Sequence, residues 1–131
     1  MFNRRRLLVC IAATAVASTA PAAYALEEGK FERAAFEAAQ AAGKPILLHV
    51  AAEWCETCHA QKEVIEELEG DPKFRVYSIY TIDFDTEKDV MRSFGATSRS
   101  TLIVFKGKTE MGRLVGDTRE KSIKALMEKG L

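Results

Sequence analysis

The sequence is poor in the residues that metal and haem proteins use in number. Among 131 residues there are two histidines, three cysteines, three prolines and one tryptophan. It also lacks an excess of either charge: nineteen basic residues balance nineteen acidic ones. Nothing in that balance suggests a nucleic-acid surface. No internal repeat, low-complexity tract or linker divides the chain, and the length suits one domain. At 47% hydrophobic and 29% charged residues, the composition excludes a long disordered chain.

A permanent membrane span is also missing. Leu7 to Ala20 is apolar and uncharged, but a spanning helix needs about 20 such residues. What precedes and follows this run gives it another meaning. Arg4, Arg5 and Arg6 make a basic start, and small residues close with Ala23-Tyr24-Ala25. This is the pattern of a secretory signal peptide cleaved after Ala25. The alternative is an uncleaved N-terminal anchor. Asn3-Arg4-Arg5-Arg6-Leu7-Leu8 loosely matches a twin-arginine signal, without its Phe and Lys. Val9 before Cys10 is not the small residue a lipoprotein signal needs, so Cys10 is expected to leave with the signal. The expected organisation is a signal peptide over 1–25 and one domain over 26–131, located in the periplasm. Cleavage would remove three arginines and no acid, moving the net charge from zero to −3. It would also leave only Cys55 and Cys58. One close pair does not make a stapled scaffold, which carries about two to four bridges.

The periodicities along 26–131 alternate between helix and strand. Phe31 to Ala42 has apolar residues at helical spacing, ended by Gly43 and Pro45. Ile46 to Ala51 is apolar except for His49, which predicts a strand buried on both faces. A helix follows to about Glu69, with Ala60, Val64, Ile65 and Leu68 on its packed side. Phe74 to Phe84 reads as a second strand. Thr86 is placed to cap a short helix through Phe94. Thr101 to Phe105 and Glu110 to Val115 read as a hairpin around Lys106-Gly107-Lys108. Thr118 is placed to cap a last helix carrying Ile123, Leu126 and Met127. The order αβαβαββα predicts an α/β fold with a mixed four-stranded sheet flanked by helices.

Cys55-Glu56-Thr57-Cys58 lies just after the buried strand and opens a helix. Unpaired N–H groups and the helix dipole at that end stabilise a thiolate, the attacking species. Cys55 is therefore the expected nucleophile. Cys58, one turn further in, is the expected resolving thiol that releases a mixed disulfide. Other readings stay open. A plain stabilising disulfide would close a loop too small to constrain the unfolded chain much. Cys55-Glu56-Thr57-Cys58-His59 matches the attachment pattern for c-type haem, although the strand-rich order does not suit a small helical cytochrome. Cys55, Cys58 and His59, with or without His49, would suit Cu(I) or Zn²⁺, although Cys58 and His59 point differently from one helix.

Ala52-Glu53-Trp54-Cys55-Glu56-Thr57-Cys58, the strand Lys44-Pro45-Ile46-Leu47-Leu48, Phe94-Gly95-Ala96-Thr97 and Thr101 to Gly107 together resemble the thioredoxin family. The start resembles most the thioredoxin-like domains of transmembrane thiol electron-transfer proteins. The resemblance implies a thioredoxin fold, dithiol–disulfide exchange with protein thiols and disulfides, no cofactor and no metal. A monomer is expected, fed by a membrane thiol donor if it works as a reductase. Three departures from the family stand out. Ser100 occupies the place of a cis-proline, in the loop that implies substrate contact for Ser100 and Thr101. A cis bond before a non-proline residue costs about 2.5–4 kcal/mol, so a trans bond is expected there. His49 takes the position of a buried aspartate, either as a base for Cys58 or as a plain core histidine. Glu56-Thr57 replaces Gly-Pro; a carboxylate beside Cys55 disfavours its thiolate and favours a reducing couple, while a charged His59 pushes the other way. Trp54 is expected to shape a substrate groove or to pack over Cys55, and Arg99 to read an acidic partner or remain solvated.

Overall fold

The computed structural model describes residues 27–131. The expected signal peptide, its expected cleavage after Ala25 and Cys10 lie outside the described residues. Five strands and four helices follow in the order β1 (Glu27–Lys30), α1 (Arg33–Ala41), β2 (Pro45–Ala51), α2 (Glu56–Leu68), β3 (Ser78–Asp83), α3 (Lys88–Ser93), β4 (Thr101–Lys106), β5 (Thr109–Val115) and α4 (Glu120–Glu128). A single 3₁₀ turn, Pro72–Phe74, separates α2 from β3.

The sheet runs β1-β3-β2-β4-β5. β1, β3 and β2 are parallel, and β4 and β5 are antiparallel to their neighbours. The expected mixed sheet is thus present, but with five strands instead of four. The added strand, β1, is an edge strand of sequence Glu-Glu-Gly-Lys. It has no β-branched or aromatic residue, so propensity is silent; backbone pairing to β3 makes it a strand. The run from Phe74 divides because Pro72 sets a 3₁₀ turn, leaving only 78–83 extended. The two threonine caps are not formed. The residue before α3 is Glu87 and the residue before α4 is Arg119, neither with a side-chain cap. Carboxylates hold those turns: Asp83 accepts the N–H of Asp85 and of Thr86, and Asp117 accepts the N–H of Arg119.

β2 is central and buried on both faces, and its alternation sorts the core in two. Ile46, Leu48 and Val50 face an aromatic cluster with Phe31, Phe36 and Phe105, which Phe94 packs against. Phe36 meets Phe94 and Phe105 edge-on at 5.1 and 5.4 Å, contacts worth about 0.5–1.5 kcal/mol each beyond burial. Leu47, on the other face, joins a cluster from α2, α4 and β4 with Ile65, Leu68, Leu102 and Ile123. The Tyr77 hydroxyl donates to the carbonyl of Met127 and ties α4 to this layer. His49 shares the face of Leu47, so it points at α2, toward the end of β2 from which the chain leaves for Cys55.

Candidate active site

β2 ends at Ala51, and a tight turn carries the chain into α2. The N–H of Cys55 donates to Ala52 O at 3.1 Å within this turn. Cys55 is the residue before α2, with extended backbone, and its Sγ accepts the N–H of Cys58 at 3.2 Å. Its sulfur therefore occupies the place of a helix-capping oxygen. Cys55 and Cys58 form a disulfide with their Cα atoms 5.3 Å apart. Both are buried, Cys55 at 3% and Cys58 at 2% exposure.

Ser100 stands over this disulfide. Its Oγ lies 3.3 Å from Cys55 Sγ and 3.1 Å from Cys58 Sγ. No cis peptide occurs among the described residues, so the bond before Ser100 is trans. The N–H of Ser100 is spent on Val50 O at 2.7 Å, and only its hydroxyl faces the sulfurs. Ser100 also has a left-handed backbone (φ 58), which non-glycine residues adopt at a cost of about 1–2 kcal/mol.

The loop is held in that shape from two sides. The Ser100 carbonyl accepts Gly116 N–H at 2.9 Å and the amide of Gln61 at 3.0 Å. Gln61 Nε2 also donates to Asp117 O at 3.0 Å. Both amide protons are thereby used, and Oε1 can only accept. His49 Nε2, 3.1 Å away, must be the donor, which fixes the neutral tautomer with its lone pair on Nδ1. Burial lowers the His49 pKa to about 4, so the ring is neutral at ordinary pH. His49 therefore reaches the sulfurs through Gln61 and Ser100; its ring nitrogen Nε2 is committed to Gln61. A cavity of about 450 Å³ borders Cys58 and is lined also by His49, Lys30, Lys62 and Asp83.

The outer side is different. Trp54 is 57% exposed, donates from Nε1 to Asp85 Oδ2 at 2.8 Å and stands edge-on to Phe84. The Arg99 guanidinium lies 4.8 Å over the Trp54 ring. His59 donates from Nε2 to the carbonyl of Glu53 at 2.7 Å, bracing the turn before Cys55. Glu56 is in the first turn of α2, exposed like Thr57. Thr101 is buried, donates to Ser98 O at 2.7 Å, and pairs with Val50 and Val115. Among the described residues, no three His, Cys, Asp or Glu side chains are grouped to hold a metal ion.

Two site residues escape a reading by motif. Gln61 is wholly buried, and Asp85 orients Trp54. Gln61 has a sequence signal: Cys58, Gln61, Ile65 and Leu68 form the buried stripe of α2, and one member of that stripe is polar. Asp85 has none, because it reaches Trp54 across 31 residues of chain.

Chemically, a buried disulfide at a helix N-terminus, beside an exposed aromatic, can accept and return two electrons by exchange with an external thiol pair. Comparison with known proteins agrees with the geometry. The family model described as Thioredoxin matches residues 27–129. Thioredoxin from Mycobacterium bovis is 33% identical over 73 residues, covering 56% of this chain and 62% of the relative. Thioredoxin H2-1 of rice, Oryza sativa subsp. japonica, is 29% identical over 86 residues, covering 63% of this chain and 61% of the relative. In a bifunctional thioredoxin reductase/thioredoxin of Mycobacterium leprae, 32% identical over 73 residues, the match covers 56% of this chain and 16% of the relative. The chain thus spans less than two thirds of each of these curated relatives. Among solved structures, Trxlp from Edwardsiella tarda EIB202 superimposes with a TM-score of 0.74 at 31% identity, over 77% of this chain and 98% of that one. Oxidised thioredoxin O2 of Arabidopsis thaliana shares the fold at a TM-score of 0.67 and 24% identity, over 81% of this chain and 94% of that one.

Proposed function

The chain belongs to the thioredoxin family of thiol–disulfide oxidoreductases, and from that premise we propose that it is an exported protein-disulfide reductase working in the periplasm. The observation that carries the chemistry is the Cys55–Cys58 disulfide, with Cys55 Sγ in the capping position of α2. In the reduced protein the Cys55 thiolate attacks a substrate disulfide. A Cys55–substrate disulfide forms, and one substrate sulfur leaves as a thiolate and takes a proton. Cys58 then loses its proton and attacks Cys55 Sγ. The Cys55–Cys58 bond forms, the mixed disulfide breaks, and the second substrate sulfur leaves. Two electrons have passed to the substrate.

The reductive direction is supported by Glu56, whose carboxylate in the first turn of α2 opposes the stabilisation of a thiolate at Cys55. A less stable thiolate favours the disulfide and makes the couple more reducing. Export is supported by the basic, apolar and small-residue succession over 1–25. A reductase outside the cytoplasm needs electrons from within, so a membrane thiol donor is the partner this reading requires. The substrates are protein disulfides presented at the Trp54 side.

The test is to trap the redox state in cells by acid quenching and thiol alkylation after fractionation. The expected result is a chain beginning at Leu26, in the exported fraction, with both cysteines reduced at steady state. A pair found oxidised overturns the reductive direction, and a chain retained in the cytoplasm overturns export.

A further inference from the structure

Ser100 combines two features. Its backbone is in a left-handed conformation that costs a non-glycine residue free energy, and its hydroxyl touches both sulfurs of the redox pair. Strain of this kind persists only where the surroundings over-determine it. Here they do. The Ser100 N–H is fixed on Val50 O, and its carbonyl is fixed by Gln61 Nε2 and by Gly116 N–H. With the backbone pinned at three points, the side chain keeps only its own rotation. The hydroxyl hydrogen, however, turns freely between acceptors.

We propose that Ser100 is a catalytic residue whose hydroxyl follows the negative charge between the two sulfurs, with Gln61 as the positioning residue that holds it there. In the oxidised pair the hydroxyl has two weak acceptors at 3.3 and 3.1 Å. Reduction turns one of them into a thiolate, and a hydrogen bond to an ionised acceptor is about twice as strong as a neutral one. In the reduced protein the hydroxyl donates to the Cys55 thiolate. Once Cys55 is bound to substrate, the charge that develops next is on Cys58. The same hydroxyl then swings to the Cys58 thiolate as it forms. It lowers the barrier to the attack that breaks the mixed disulfide and regenerates the Cys55–Cys58 bond. No backbone movement is needed, because the two sulfurs stand at nearly equal distances from one oxygen. The proposal rests on thiol–disulfide exchange at this pair but not on its direction, since each step runs equally in reverse.

Gln61 contributes by closing the loop from the interior. It is wholly buried, accepts from His49 on β2, and donates both to the loop of Ser100 and to the segment before α4. Three separate parts of the chain are thereby referenced to α2, the helix that carries Cys58.

The test compares the mature wild-type protein with Ser100→Gly, Ser100→Ala and Gln61→Leu. Glycine accepts the left-handed backbone, so Ser100→Gly removes the hydroxyl without adding strain. Alanine keeps the backbone restraint and gives an independent deletion of the same atom. Thiolate formation is followed by absorbance near 240 nm against pH, and release of a thiol-labelled substrate by single-turnover kinetics. Both Ser100 variants are expected to raise the Cys55 pKa by about one unit and to lengthen the mixed-disulfide lifetime about tenfold. Gln61→Leu is expected to move both readouts in the same sense but less, because the hydroxyl is displaced, not removed. Unchanged pKa and unchanged resolution in Ser100→Gly and Ser100→Ala overturn the role of Ser100 while leaving thiol–disulfide exchange intact. A wild-type protein that forms no mixed disulfide at all overturns the exchange reading itself, and this proposal with it.

Discussion

On the solvent side of the redox pair stand Trp54, Arg99 and Asp85, joined to one another by a ring-face contact and one hydrogen bond. On the interior side stand His49, Gln61 and Ser100, each at 4% exposure or less, joined by hydrogen bonds that leave no amide proton of Gln61 unused. The outer group is free to meet a partner and has little holding it. The inner group is buried, and truncating Gln61 or His49 leaves a buried polar atom unpaired. The two faces of one disulfide thus differ in burial and in bonding, and each face should fail in its own way.

The largest effect belongs to the pair between them. Cys55→Ser should reduce exchange to the uncatalysed rate, while Cys58→Ser should still attack substrate and accumulate a mixed disulfide visible on a non-reducing gel. Equal behaviour of the two variants would remove the distinction between nucleophile and resolving thiol.

On the interior face, Gln61→Leu should destabilise the protein by about 3 kcal/mol, read from urea unfolding. It strands the carbonyl of Asp117 and the donor of His49, at about 1–3 kcal/mol for each buried unsatisfied group, while the Ser100 carbonyl keeps the N–H of Gly116. Next comes a pH effect from His49. Its folded pKa, about 4, lies below the unfolded value near 6.5, so the unfolded chain binds a proton before the native one does. The stability due to the neutral buried ring is complete above pH 6.5 and is lost as the pH falls toward 4. About 2 kcal/mol should be gone by pH 5, and His49→Gln should flatten that slope. A slope unchanged in His49→Gln would place the acid sensitivity elsewhere.

On the outer face the sign of the comparison reverses. Trp54→Ala should change stability by well under 1 kcal/mol, since the ring is mostly exposed, yet lower kcat/KM for protein disulfides several-fold. A small disulfide such as that of a glutathione dimer should hardly notice the change. Equal losses on both substrates would mean that Trp54 supports the site and does not read the partner.

The sequence made one face far easier to read than the other. The Cys-x-x-Cys spacing, Trp54 before it and the apolar run of β2 carry local signals, and the helix N-terminus under Cys55 follows from them. The thioredoxin fold was legible for the same reason: buried strands and amphipathic helices repeat with strong periods. β1 was not legible, because an edge strand of Glu, Gly and Lys is held by backbone pairing alone. The caps at Thr86 and Thr118 lost to the nearby carboxylates Asp83 and Asp117, which accept the turn N–H groups instead. Ser100 could be placed in its loop by resemblance. That its N–H turns to Val50 and its hydroxyl to both sulfurs depends on a left-handed backbone set by contacts 39 and 16 residues away in sequence, at Gln61 and Gly116.

The most direct test of thiol–disulfide exchange at this site is an equilibrium titration of the Cys55–Cys58 pair against glutathione, followed by thiol alkylation. One two-electron transition is expected, both cysteines changing together, at a potential near the −270 mV or so typical of thioredoxin. A transition near −120 mV would contradict the reducing role assigned to Glu56, and a pair that does not titrate as a two-electron couple would contradict thiol–disulfide exchange as the chemistry of this site.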